Sequence, residues 1–214
     1  MVILTDYEGA IKKPFSDIKS LVIGCLLNII PIINFFSIGY SVEVSRLSMK
    51  GKNKMPEWTN WGALFVDGLL VFLISLIWMI PVIILLLATI GFSVITAIMK
   101  GGLEQGLLPI LATAGTGLLI TLIVAILIGY FSPLAVMGFV KSKNFGDAFD
   151  FSTIFKKAFT SKYFGVWIVI GIISFVLGFI GGIIPFVSLV LGPALGFISW
   201  IIAFTLLGEI YNKI

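Results

Sequence analysis

The sequence predicts an all-α integral membrane protein, a bundle of about six transmembrane or re-entrant helices with two interfacial amphipathic helices and a parallel hairpin repeat. Apolar residues make up 59% of the chain and charged residues only 11%, whereas charged residues form about a quarter of ordinary soluble domains. The mean hydropathy is +1.18. At about 20 apolar residues per spanning helix, 214 residues leave room for five or six spans. We therefore expect a single helical membrane domain over residues 1–214.

The composition also argues against several functional classes. The sequence has no histidine and one cysteine, Cys25, so the commonest zinc ligand and any internal disulfide are missing. The lysines lie beside apolar segments, where they set orientation in a membrane, so the net charge of +4 does not indicate a nucleic-acid partner. We expect no catalytic, metal-binding or cofactor-binding residue, no cofactor and no enzymatic activity.

The N-terminal segment, residues 6–19, is predicted to be a short amphipathic turn of helix. Asp6 suits the N-cap position, and Pro14 predicts a break before a span that begins near Phe15. Two interpretations remain for the basic residues Lys12 and Lys13: a helix lying on an anionic leaflet, or an ordinary flank whose lysines reach the interface.

The apolar segment 15–45 carries Asn28, Pro31 and Asn34 at its middle. Proline removes a backbone donor and disfavours a helical conformation at the preceding residue. One alternative is a single kinked helix over residues 18–40. The other is a hairpin that runs over residues 15–30, turns at Pro31 and returns from residue 32 to about residue 49.

The distribution of basic residues favours the hairpin. With a hairpin, 13 of the 14 lysine and arginine residues lie on one side of the membrane and Lys100 alone lies on the other. With a single kinked span the division is 10 against 4. Because lysine and arginine accumulate in cytoplasmic loops, we expect a multi-pass protein of the plasma membrane with both termini in the cytoplasm.

A polar segment between Gly39 and Gly68 separates the first apolar segment from the next one. Glu43 and Arg46 are spaced to pair on one helical face, and Asp67 is a plausible second partner of Arg46. Tryptophans favour the headgroup level of a membrane. The candidate polar cluster consists of Glu43, Arg46, Glu57, Trp58 and Asp67. It is either a set of ion pairs that orients this segment or a functional site. Placement of Asp67 near a helix N-terminus offers a structural explanation for that residue.

Residues 141–162 predict a second interfacial helix, with Phe151, Ile154 and Phe155 beginning one apolar face and Lys156 and Lys157 off it. This segment repeats the N-terminal one. The residues that correspond in order and spacing are Asp6, Ile11, Lys12, Lys13, Phe15 and Ser16 with Asp150, Phe155, Lys156, Lys157, Phe159 and Thr160. A second echo relates residues 30–34 to residues 184–188. Because both copies begin on the same side, the repeat is predicted to be parallel.

The remaining apolar segments show turns and small residues. Residues 64–99 contain Pro81, at which a kink is expected, and residues 100–106 predict a compact outside turn. Residues 112–117 are small and suit close helix approach. In the last hairpin, Gly178 and Gly182 on one arm and Gly192 and Gly196 on the other are expected to allow close packing.

The motifs of the polar segment resemble those of a known family. These motifs are Ile-Pro-Ile-Ile-Asn at 30–34, Gly39-Tyr40, Arg46, Lys50-Gly51, Pro56-Glu57-Trp58 and Phe65-x-Asp67-Gly68. They resemble an uncharacterised prokaryotic, largely archaeal, membrane family, domain of unknown function 4013. The general layout is also similar to the membrane domains beside some glycerophosphodiester phosphodiesterases, without their catalytic part. The resemblance implies a helical protein of a prokaryotic plasma membrane and brings no catalytic residues.

Three classes of function remain at the level of sequence. We expect a structural or interaction protein whose basic amphipathic helices, with Lys12, Lys13, Lys156 and Lys157, contact an anionic inner leaflet. A homo-oligomer or a membrane protein partner is compatible with this expectation. The alternative is a component of a small-solute or lipid transporter or channel, although no charged residue is predicted at the membrane midplane. Lipid chemistry would need convergent ionisable groups, and only the candidate polar cluster offers them.

Overall fold

The structure is a computed structural model that describes residues 5–99, 108–183 and 187–214, and these residues form helices and no strand. Within the described residues, eight α-helices follow one another. They are α1 (Tyr7–Lys12), α2 (Ile18–Ile29), α3 (Asn34–Met49), α4 (Trp61–Met99), α5 (Leu108–Ser142), α6 (Phe151–Ala158), α7 (Ser161–Gly182) and α8 (Ser188–Tyr211). Short 3-10 helices lie at Lys13–Ser16 and Phe145–Phe149. The all-helical prediction is confirmed for the described residues.

In the part of the chain that the structure describes, four helices are long and apolar enough to cross a membrane. These candidate spans are Trp61–Thr96, Ala114–Ser142, Ser161–Gly182 and Ser188–Tyr211. Most of their residues are not fully buried within the protein, and the buried share is 11% in α7, as expected for helices whose apolar side chains face lipid. Helix α2 is apolar but has 12 residues, a rise of about 18 Å against a hydrocarbon core of about 30 Å. Four candidate spans are therefore present among the described residues, and the count of six stays a prediction.

The chain divides into two compact units. The first comprises Met1–Ile74 with Pro133–Ile214, and the second comprises Ser75–Ser132. In the second unit, an added Cβ on Gly117 of α5 would lie 2.5 Å from a side-chain carbon of Thr89 on α4. This close approach agrees with the small-residue stretch expected at 112–117. Helix α4 runs on through Pro81. The turn predicted at 100–106 lies outside the described residues.

Helices α2 and α3 of the first unit form a hairpin. Ile30, before Pro31, has an extended backbone conformation, as the proline ring requires, and Ile32 adopts a positive φ of 73°. The two arms lie together, since the Ser37 hydroxyl on α3 donates to the Gly24 carbonyl on α2 at 2.9 Å. The Lys13 ammonium, before α2, donates to the Ser48 hydroxyl near the end of α3 at 2.8 Å. The two ends of the hairpin therefore meet, and the alternative of one kinked helix is wrong.

Helix α3 ends in a turn that the sequence makes possible. Gly51 has a φ of 71°, a conformation that glycine adopts without steric cost. Its N–H donates to the Ser48 carbonyl at 2.9 Å, and the Lys52 N–H donates to the Leu47 carbonyl at 2.9 Å. This pair of bonds is the Schellman arrangement that satisfies the last carbonyls of a helix.

Helix α8 packs against α2, α3 and α7 in the first unit. The core between these helices contains Tyr40, Phe197 and Ile201, each fully buried. Helices α7 and α8 are joined by a hydrogen bond between the hydroxyls of Ser174 and Ser199 at 2.8 Å.

The glycines of the last hairpin pack differently from the expectation. An added Cβ on Gly181 would lie 3.1 Å from the Gly192 Cα, so the close approach involves Gly181 rather than Gly178 or Gly182. A Cβ on Gly178 or Gly182 would meet nothing within 4 Å. The predicted Ile-Pro turn lies outside the described residues, as do residues 184–186 of the second echo, which is predicted over residues 184–188.

Candidate functional site

Arg46 is the centre of a buried ion-pair cluster. Its guanidinium donates to Glu43 on the same helix at 2.7 Å and to Asp67 on α4 at 2.5 Å. Its Nε donates to the Val140 carbonyl on α5 at 3.1 Å. Only 7% of Arg46 is exposed. The pairing of Arg46 with Glu43 and Asp67, expected from the sequence, is thus present, and it joins α3, α4 and α5 through one side chain.

The position of Asp67 corrects one sequence-based explanation. Helix α4 begins at Trp61, so Asp67 lies almost two turns inside it, whereas the effect of a helix N-terminus falls off within the first turn. Arg46 supplies the compensating charge instead. The guanidinium uses most of its donors on the two carboxylates and the Val140 carbonyl. The arrangement therefore resembles a structural clamp more than a reactive site.

Two other members of the candidate polar cluster, Glu57 and Trp58, make no hydrogen bond or ion pair with Arg46 among the described residues. Glu57 is exposed on the loop before α4. Trp58 stacks on Tyr40 with ring centroids 4.0 Å apart, and its indole N–H donates to the Ser20 carbonyl at 3.2 Å. The Tyr40 hydroxyl donates to the Pro56 carbonyl at 2.7 Å. Trp58 therefore fastens the loop to the protein core, whereas Trp61, 43% exposed, keeps an outward surface.

The N-terminal segment presents one apolar row outward and one lysine inward. Asp6 caps α1 by accepting from the Gly9 N–H at 2.8 Å, as expected. Lys12 is exposed and pairs with Glu8. The outward apolar side chains are Tyr7, Ile11 and Phe15, which are 38%, 44% and 52% exposed.

Lys13 differs from its neighbour Lys12, because it is only 2% exposed. Its burial lowers the pKa of the ammonium to about 8, and the Glu209 carboxylate opposes part of that change. The expectation that Lys13 faces the membrane surface is therefore corrected: the 3-10 turn at Lys13–Ser16 directs the side chain to Ser48. Nothing in the Lys-Lys sequence distinguishes the inward lysine from the outward one.

Helix α6 also has one exposed lysine and one lysine that is directed to a neighbouring helix. Asp150 accepts from the Thr153 N–H at 3.1 Å and also from the Thr153 hydroxyl at 2.6 Å. The bond from the hydroxyl, and after it the bond from the N–H, lower the Asp150 pKa. Lys156 is exposed. The Lys157 ammonium donates to the carbonyls of Tyr211 and Ile214 at 2.7 and 2.6 Å and lies 4.4 Å from the Tyr211 ring centroid.

Lys157 is thus directed to the end of α8, which corrects the expectation that its side chain contacts the membrane surface. Partial burial lowers the pKa of the Lys157 ammonium, and the neighbouring charges of Lys141 and Lys156 add to that change.

Two glycines at the crossing of α3 and α4 are packing positions that the sequence patterns do not predict. An added Cβ on Gly39 would lie 1.8 Å from the Leu64 carbonyl oxygen, and one on Gly68 would lie 1.9 Å from the Phe35 carbonyl oxygen. The two backbones therefore touch at reciprocal glycines. Gly39 and Gly68 are the first and last residues of the polar segment. Their spacing from Arg46 and Asp67 is the sequence feature that could identify them as packing positions.

Among the described residues, no group of three potential metal ligands comes together. The site region therefore consists of ion pairs, stacked aromatic rings and lysines at helix ends. Long apolar helices of this kind, joined by lysine-rich segments, are compatible with a multi-pass membrane protein.

The chain belongs to the family described as protein of unknown function (DUF4013), whose model matches residues 23–186. No curated protein and no solved structure matches the chain. The family resemblance read from the motifs is therefore confirmed.

Proposed function

We propose that the protein is a structural or interaction component of a prokaryotic, archaeal-type plasma membrane, in which two amphipathic segments contact an anionic inner leaflet. The segments are the N-terminal one, residues 6–16, and the α6 one, residues 150–160. In this proposal, the protein forms a homo-oligomer or binds another membrane protein. The observation that carries the proposal is the agreement of the two segments in exposure and hydrogen bonding.

The agreement extends along the whole segment. Ala10 and Ile154 are buried at equivalent positions, as are Pro14 and Ala158. Phe151, Phe155 and Phe159 are 53%, 46% and 78% exposed, and they stand 144 positions after Tyr7, Ile11 and Phe15. Exposed aromatic and aliphatic side chains beside lysines are typical of helices that lie in a membrane interface.

The hydrogen bonds repeat as well. The Ser16 hydroxyl donates to the Lys13 carbonyl at 2.7 Å, and the Thr160 hydroxyl donates to the Lys157 carbonyl at 2.8 Å. In each segment the first lysine is exposed and the second reaches the end of a helix that returns from the membrane. These facts support the parallel repeat. They also support a role for Lys13 and Lys157 in holding each amphipathic segment against the helical hairpin that follows it.

The topology we propose has six membrane segments and both termini in the cytoplasm. The N-terminal segment and the last turn of α8 lie together, since the Asp6 N–H donates to Glu209 at 3.4 Å. Lys13 and Lys157 also bind the ends of α3 and α8. Basic residues gathered at one end of the first unit support a cytoplasmic orientation of that end.

The leaflet contact is tested with a bimane probe at Ser152→Cys in a Cys25→Ser background, reconstituted in phosphatidylcholine with or without phosphatidylglycerol. Quenching by spin-labelled lipid reports contact with the bilayer. We expect phosphatidylglycerol to increase quenching about twofold and the double variant Lys12→Glu, Lys156→Glu to abolish that increase. The control variant Lys19→Glu, Lys54→Glu changes the same charge elsewhere. Equal quenching with and without phosphatidylglycerol would refute the proposal.

The second candidate function is a component of a small-solute or lipid transporter or channel. It is favoured by the side-chain oxygens of Asn28 and Asn34, which are buried without a hydrogen-bond partner among the described residues. Such groups line polar paths in membrane proteins. Lipid scrambling or solute flux in proteoliposomes that Asn28→Leu abolishes without loss of folding would favour this function over the first.

A further inference from the structure

A cavity of about 270 Å³ lies where α3, α5 and α8 end in the first unit. Its polar lining consists of Glu43, Arg46, Lys50, Lys141, Lys143 and Asn212. Lys50 and Asn212 directly follow the last residues of α3 and α8, and Lys143 directly follows α5. The cavity therefore stands at the ends of two candidate spans, at the depth where a membrane changes from hydrocarbon to headgroups.

The lining carries an excess of positive charge. Arg46, Glu43 and Asp67 together carry one negative charge, so Lys50, Lys141 and Lys143 leave the region with two positive charges. Within the described parts of the chain, none of these three lysines has a carboxylate within ion-pair distance. Like charges that face one cavity raise the free energy of the empty site, and an anion lowers it.

Attraction to helix ends is the competing explanation, because lysines favour the carbonyls at helix C-termini. Lys157 shows what that contact looks like here, since its ammonium donates to the carbonyls of Tyr211 and Ile214. The three cavity lysines show no such bond among the described residues. Lys141 instead lies 5.9 Å from the Tyr211 ring centroid. The end of α8 is therefore already capped by Lys157, and the cavity lysines remain available for a ligand.

Lys143 adds a backbone observation. It has a φ of 62°, a left-handed conformation that glycine adopts freely and that costs other residues about 1 kcal/mol. Its N–H donates to the Phe139 carbonyl at 2.8 Å and ends α5. The chain thus places a charged side chain, at a local cost, where a glycine would end the helix equally well.

We propose that this cavity binds a phosphate group through Lys50, Lys141 and Lys143, with the Asn212 amide as a further donor. The phosphate belongs either to the headgroup of an anionic lipid or to a free phosphate ion, which offer the same oxygens. The inference rests on the membrane assignment and is independent of leaflet contact by the two amphipathic segments.

The test uses the full chain purified in an uncharged detergent. Native mass spectrometry records binding of phosphatidylglycerol and of phosphatidylcholine, and phosphorus NMR records binding of inorganic phosphate. We expect one saturable phosphatidylglycerol site, weakened at least fivefold in the triple variant Lys50→Gln, Lys141→Gln, Lys143→Gln. The triple variant Lys19→Gln, Lys52→Gln, Lys54→Gln removes the same charge outside the cavity and is expected to bind as the unaltered protein does.

The outcomes separate the two phosphate sources. Saturable binding of phosphatidylglycerol alone supports the site with a lipid headgroup as its occupant, and competition by inorganic phosphate supports the site with a free ion as well. Equal weakening by both triple variants, or no saturable binding of either probe, overturns the proposal. If the cavity variant does not fold, Lys143→Gln alone is measured, with Lys54→Gln as its control. Loss of leaflet contact in the quenching experiment leaves this result unaffected, so the two failures are distinguishable.

Discussion

At the scale of single residues, Arg46 is the side chain on which the polar segment depends. It is buried, binds carboxylates on two helices and donates to a carbonyl on a third. A buried ion pair contributes little net stability compared with an apolar replacement of the whole group, but removal of one partner leaves a buried charge uncompensated. The cluster therefore specifies which helices meet more than it adds to the free energy of unfolding.

Replacement of Arg46 by methionine tests this account. We expect Arg46→Met to lower the free energy of unfolding by about 3 kcal/mol, because Asp67 and Glu43 lose their counter-charge. Thermal unfolding in detergent, followed by tryptophan fluorescence, measures the change. Lys50→Met, at an exposed neighbouring position, should change stability little. Further replacement of Asp67 by asparagine should recover part of the loss, and an Arg46→Met protein as stable as the original would contradict the structural interpretation.

Lys13 predicts a pH dependence of stability. Its pKa is lowered from 10.5 to about 8 by burial, so between these values the unfolded chain holds a proton that the folded chain has released. Stability attributable to Lys13 therefore rises with pH from about 8 to 10.5. Relative to Lys13→Met, the original protein should gain stability between pH 7.5 and pH 10. Lys12→Met removes an exposed lysine of the same segment and serves as the control variant, and a flat Lys13 comparison would show that the ammonium is not desolvated.

At the scale of elements, the crossing of α3 and α4 is set by Gly39 and Gly68. Each would place a Cβ within 2 Å of a backbone carbonyl oxygen on the other helix, and a backbone atom cannot move aside as a side chain does. The same contact holds Asp67 within reach of Arg46. The short distance between the helices and the ion pair are therefore parts of one arrangement.

Alanine at these glycines should separate the helices. We expect Gly39→Ala or Gly68→Ala to lower the free energy of unfolding by about 3 kcal/mol through overpacking. Gly62→Ala is the matched control, because an added Cβ there meets nothing within 4 Å, and alanine should raise stability by about 0.5–1 kcal/mol. Urea or thermal unfolding in detergent measures the expected loss of stability at Gly39 or Gly68 and the expected gain at Gly62. Equal effects at Gly62 and Gly68 would refute the close crossing.

The contacts that the sequence predicts are those that depend on short spacing along a helix or on the properties of a single residue type. The Glu43–Arg46 pair follows from helical spacing, the Asp6 cap from residue type, and the break at Pro31 from the proline ring. The stacking of Trp58 on Tyr40 and the inward direction of Lys13 and Lys157 depend on residues far along the chain. Local patterns contain no information on such contacts, so the sequence does not show that Trp58 packs on Tyr40 or that Glu57 is exposed.

At the scale of the whole molecule, basic residues gather where the helices of the first unit end. Lys13 reaches α3, Lys157 reaches α8, and Lys50, Lys141 and Lys143 line one cavity. The N-terminal segment contacts the last turn of α8 through Asp6 and Glu209. In the proposed topology, therefore, the N-terminus, the polar segment, α6 and the end of α8 all lie on the cytoplasmic side of one membrane.

Cysteine accessibility tests that claim most directly, because Cys25 is the one native thiol and is removed by Cys25→Ser. Single cysteines are introduced as Glu8→Cys, Asn53→Cys, Asn212→Cys and, in the segment expected outside, Gln105→Cys. Intact cells are treated with a membrane-impermeant maleimide, and lysed cells provide the control for reactivity. The account predicts labelling of Gln105→Cys alone in intact cells and of all four after lysis. Labelling of Glu8→Cys in intact cells while Asn53→Cys stays protected would contradict it.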